Sequence, residues 1–140
     1  MLLDLLFGIT INLTVMAVHV GATLVVMEIS DVIIPTSRTS SSRRRHLMLM
    51  IAVVACMLLA HLCEVGIWSL VYLALGIVSN AADAYFSAFT VYTALGVGHS
   101  VEREYARLLE PMTATSGILM FGWTTAVLIA ALQRGVRRTL

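Results

Sequence analysis

The chain has 140 residues, 59% of them hydrophobic and 12% charged, with a formal net charge of +1 and a mean hydropathy of +0.93. Soluble domains carry about 25% charged residues, so an ordinary water-soluble domain is excluded, and no nucleic-acid partner is expected. The expected class is an all-α integral membrane protein with room for three or four spans.

Three segments are long enough to cross about 30 Å of hydrocarbon. The first covers residues 5–27. It has no basic start and no small-residue cleavage site, so it reads as a span rather than a signal peptide. Asn12, His19 and Thr23 share one face, with Thr10, Thr14, Ala17 and Gly21 opposite. Small residues admit a close neighbour, so this helix is expected to pack within an assembly. It lacks an arginine ladder, so strong voltage dependence is not expected. Residues 30–46 form a short polar loop with Pro35, Arg38, Arg43, Arg44 and Arg45. The Arg43-Arg44-Arg45 run sets topology and is suited to anionic lipid headgroups.

The second span covers residues 47–75. Cys56 and Cys63 share a face of it and read as packing residues. His61, Glu64, Trp68 and Tyr72 recur at three- and four-residue spacing and also share a face. A carboxylate at membrane depth costs about 2.5–3.5 kcal/mol on insertion scales, so Glu64 needs a partner. The favoured reading is a hydrogen-bonded brace of His61 and Glu64 behind the segment that follows. The sharper reading is a proton or divalent-metal sensor with His19 as third ligand.

The third span covers residues 113–132, and before it lies the most informative segment. Residues 81–92 are too few to cross a bilayer, with Asn80 as N-cap and Asp83 three residues on. Tyr85, Phe86, Phe89 and Tyr92 give this short helix apolar bulk. It runs into Thr93-Ala94-Leu95-Gly96-Val97-Gly98-His99. Irregular backbone at membrane depth survives only where protein buries it or where it lines a water-filled path. All nine basic residues are arginine. Four lie in the first loop; Arg134, Arg137 and Arg138 follow the third span; Arg103 and Arg107 follow the glycine loop. The positive-inside bias puts the first loop and the C-terminus in the cytoplasm, and the N-terminus and residues 76–111 outside. The two clusters agree only if residues 81–98 enter and leave on one side, as a re-entrant loop does.

From residue 47 to 133 the chain resembles the pore module of the tetrameric potassium-channel superfamily, especially small bacterial two-helix pore proteins. The motif that carries the likeness is Thr93 to His99, set against a family filter of the form T-[TS]-[VLI]-G-Y-G-D, together with the glycine-bearing stretch Gly117 to Trp123. The resemblance implies a homotetramer in the cell (inner) membrane. Residues 1–46 would form an added N-terminal helix and arginine loop, and 47–140 the pore module. It implies a filter at Thr93, Ala94, Leu95, Gly96, Val97, Gly98 and His99 and permeant K+ or Na+, with no cofactor. Thr113, Gly117, Met120 and Thr124 share one face of the third span and are expected to line the axis. Three departures matter: Ala94 lacks the family hydroxyl, Val97 replaces the buttressing tyrosine, and His99 replaces an acidic residue. The retained glycines let carbonyls replace an ion's hydration shell, so conduction with weak monovalent selectivity is expected.

Two rival readings come from other classes. One is a haem-binding membrane electron carrier with His19 and His61 as axial ligands; it leaves the glycine loop unexplained. The other is a non-conducting membrane subunit. An enzyme is not expected, since no nucleophile-base pair or metal-spacing motif appears.

Overall fold

In a computed structural model, residues 2–33, 43–96 and 108–137 are described. They form four helices: α1 (Leu2–Ile33), α2 (Arg43–Ala74), α3 (Ala81–Tyr92) and α4 (Leu109–Arg137). Three of them, α1, α2 and α4, are long and apolar enough to cross a membrane. Each outruns the apolar window from which it was expected. α2 already begins within the arginine run, and α4 begins before Pro111, which sits in its first turn. Proline is tolerated there because first-turn N–H groups have no helical partner.

Two core clusters fix how the helices run. At one end Val26 of α1 packs with Leu49, Val53 and Met57 of α2 and Ala131 of α4. At the other, Ile11 and Val15 of α1 meet Val65, Trp68 and Tyr72 of α2, Ala84, Ala88 and Tyr92 of α3, and Leu109 and Met120 of α4. Hence α1 and α4 each run antiparallel to α2. The start of α2, in the arginine run, and the end of α4, at Arg137, share one end of the bundle. All of α3 belongs to the opposite end, so it does not traverse.

Several hydroxyls on the spans bond back to their own helix, as hydrocarbon favours. Thr10, Thr14, Thr23 and Ser30 donate to the carbonyl four residues earlier on α1, at 2.7–3.0 Å. Thr115 and Thr125 do so on α4 at 2.8 and 2.9 Å. The outer surface is apolar: Ile51, Leu58, Leu59, Leu70, Phe86 and Ile118 are among its exposed side chains, where lipid tails are the natural solvent.

Candidate functional site

α2 ends in a Schellman turn. Gly76 adopts φ 64°, its N–H donates to Leu73 and the Ile77 N–H to Tyr72, both at 2.9 Å. The chain then reverses into α3. Asn80 caps that helix, its side-chain oxygen accepting from the Asp83 N–H at 2.9 Å while its amide donates to the Asp83 carboxylate. With 12 residues, α3 is about 18 Å long, little more than half a bilayer core.

The other end of α3 opens the glycine loop, and its geometry is unusual for the residues there. It too is a Schellman turn: the Ala94 N–H donates to Val91 at 2.9 Å and the Leu95 N–H to Thr90 at 3.0 Å. The left-handed position is held by Ala94, at φ 58°, rather than by glycine. That conformation costs an L-residue about 1–2 kcal/mol. Gly96, two residues on, is left-handed again at φ 72° and has open space around it. The Thr93 hydroxyl is turned back on its helix, donating to Phe89 at 2.9 Å and Thr90 at 3.1 Å. Val97, Gly98 and His99 lie outside the described residues.

Behind this turn, near the middle of each long helix, lies a connected set of polar side chains. His19 and Glu64 are both fully buried, with His19 Nδ1 donating to Glu64 Oε1 at 2.7 Å. The Tyr92 hydroxyl donates to Glu64 Oε2. His61 Nδ1 lies 3.0 Å from the Tyr92 oxygen and 3.3 Å from Glu64 Oε2. Thr124 Oγ1 bridges the far sides of both rings, 2.9 Å from His61 Nε2 and 3.3 Å from His19 Nε2. A carboxylate at this depth is tolerable only with such partners. Because Tyr92 is the last residue of α3, the network grips the backbone immediately before Thr93. It also joins α1, α2, α3 and α4.

Sequence spacing alone points to His61 and Glu64 on one face, but not to Tyr92 or Thr124 as their partners. A phenol that deep in an apolar segment needs a hydrogen-bond partner, which was the available signal for Tyr92. Thr124 carried none, since its role depends on how α4 meets α1.

The face of α4 expected to line an axis instead packs inside the subunit. Thr113 is fully buried and accepts from the Tyr72 hydroxyl at 3.1 Å. Met120 is in the core, and Thr124 is held by the two histidines. Gly117 lies so close to α3 that a Cβ would meet the Tyr92 backbone. The heptad-like spacing does set these residues on one face, and that face is consumed by α1, α2 and α3. The opposite stripe, Thr115, Ile118, Gly122, Thr125 and Ile129, is exposed.

On α1 the buried face runs Ile11, Val15, His19, Val26, whereas Thr10, Thr14 and Gly21 are exposed. The small-residue face therefore has no neighbour within the described subunit. The haem reading does not fit: the His19 and His61 rings are 5.4 Å apart between centroids and share the Thr124 hydroxyl. Both rings aim Nδ1 at Glu64 and Nε2 at Thr124, so no pair of ring nitrogens faces across a plane that a macrocycle could fill.

Comparison with known proteins gives a family match: a family model described as an ion channel covers residues 47–134. No curated protein and no solved structure matches the chain.

Proposed function

Since the chain belongs to the ion-channel family, in its two-helix, potassium-channel-like form, we propose that it is a weakly selective monovalent-cation pore, assembled as a homotetramer. The observation that carries this reading is the end of α3. A half-crossing helix stops near the middle of the spans and hands over to a backbone that is left-handed at Ala94 and Gly96. The helix C-terminus carries a partial negative charge, which favours cations at that depth. One such loop supplies a quarter of a carbonyl-lined filter, hence four copies around an axis. Thr93, Ala94, Leu95, Gly96, Val97, Gly98 and His99 are the filter, passing K+ or Na+.

The axis is lined by the exposed stripe of α4, Thr115, Ile118, Gly122 and Thr125, because the opposite face is occupied within the subunit. Residues 1–46 are an added helix and arginine loop on a pore module of residues 47–140. The shared end of the bundle, where α2 starts and α4 stops, is cytoplasmic by its arginines, and the N-terminus is outside. Arg43, Arg44 and Arg45 then lie at the inner headgroups, where anionic lipid is the fitting contact. The cell (inner) membrane is the expected location.

Purified protein in liposomes tests conduction. A potassium gradient should drive cation flux that depends on protein and is lost when Gly96 is replaced by Val, which cannot hold φ 72° without strain. Absence of flux from correctly folded protein would favour a non-conducting subunit.

A further inference from the structure

The buried polar network has an organisation that hydrogen bonding alone does not require. We propose that His19, His61 and Glu64 form a binding site for a divalent transition metal of the zinc class, with the Tyr92 hydroxyl closing a fourth position. The three residues each offer a ligand atom, and those atoms all lie within 4.8 Å of one another.

The orientations carry the argument. Both histidines turn Nδ1 toward Glu64 and both turn Nε2 toward the single oxygen of Thr124. A metal-ligating histidine uses one ring nitrogen for the ion and donates the other N–H to a fixed acceptor. Thr124 Oγ1 supplies that acceptor to both rings at once, and a hydroxyl has two lone pairs to do so. The separations among the inner atoms are 2.7 Å (His19 to Glu64), 3.3 Å (His61 to Glu64) and 3.0 Å (His61 to Tyr92). Ligands about 2.0–2.1 Å from a tetrahedral zinc are separated by about 3.3 Å. His19 sits on Glu64 Oε1 while His61 and Tyr92 sit on Oε2, so the carboxylate faces every other donor, and the donors must part from hydrogen-bond spacing to admit an ion among them.

Two imidazoles and a carboxylate are a zinc-type donor set, soft enough to reject magnesium and calcium. His61 keeps 11% side-chain exposure, whereas His19 and Glu64 have none, so His61 is the ligand nearest the surface. Once bound, the ion ties the added helix α1 to α2 and, through Tyr92, to the last turn of α3. The site rests on its own geometry and not on the ion preference of the pore.

The test is zinc binding by the full-length protein in detergent after chelator treatment, with Zn2+ alone as probe. One zinc per chain is expected, and X-ray absorption of the native complex should show nitrogen and oxygen neighbours at about 2.0–2.2 Å and no sulfur. His19→Gln and Glu64→Gln should each weaken binding at least about tenfold. A combined His46→Gln, His99→Gln, Cys56→Ser, Cys63→Ser variant should bind as the parent does. No stoichiometric binding, a sulfur-containing shell, or binding lost in the combined variant and kept in His19→Gln would each overturn the proposal. Should the Gln variants fail to fold, the absorption spectrum of the native protein still decides.

Discussion

Gly117 on α4 is where a single methyl should act furthest. In Gly117→Ala the new Cβ would sit 2.8 Å from the Tyr92 carbonyl carbon, closer still to its oxygen, and 3.1 Å from Tyr92 Cδ1. Non-bonded carbons rest about 3.5–4.0 Å apart, so the last turn of α3 must retreat by about 1 Å. The obstacle is helix backbone, not the end of a flexible side chain, so the overpacking loss falls near the top of the usual range of about 1–3 kcal/mol. The helix gains about 1 kcal/mol from Gly to Ala, which leaves a net loss of about 2 kcal/mol. The retreat also draws Tyr92 from Glu64 and His61 and shifts Thr93, so conduction should fall with stability. Gly21→Ala and Gly66→Ala are the controls, because nothing lies within 4 Å of a Cβ at either position. Unfolding in detergent and potassium flux from liposomes would be measured for all three. A Gly117→Ala protein as stable and as conductive as the controls would refute the close approach of α3 to α4.

Glu64→Ala leaves the buried His19 N–H and Tyr92 hydroxyl without their acceptor and should destabilise by about 1–3 kcal/mol, whereas Leu59→Ala, at a residue 62% exposed, should change detergent unfolding little. Equal losses from the two would mean that Glu64 is not held as described. Ala94→Gly removes left-handed strain and should stabilise by up to about 1 kcal/mol, while Ala94→Thr puts a β-branched residue at φ 58° and should destabilise. The same unfolding assay checks both, and the reverse order would contradict the turn geometry. Native mass spectrometry should find four copies of the 15.2 kDa chain; a dimer or trimer would refute the shared filter.

The spans were legible because a run of apolar residues the length of a bilayer has few other uses. The half-crossing was legible from bookkeeping of charge, since the arginines near residues 43 and 137 agree in side only if residues 81–98 turn back. Asn80 and Asp83 announced the start of α3 through local capping chemistry. What spacing could not supply was which neighbour each face meets. Thr113, Gly117, Met120 and Thr124 share a face by periodicity, yet periodicity is silent on whether that face meets water or α3. The bridge from Thr124 to His19 spans most of the chain, so no local signal encodes it. Ala94 in a left-handed turn was hidden because glycine is the residue that normally marks such a site.

Reversal potentials under opposed sodium and potassium gradients, recorded from the purified protein in lipid bilayers, test the central claim most directly. Under the proposed reading, Ala94 without a hydroxyl and Val97 without a phenol would leave a filter with fewer oxygens and softer backing to separate the two ions. The account predicts a cation current that reverses near zero under these gradients. A reversal close to the potassium equilibrium value, or no cation current at all, would contradict it.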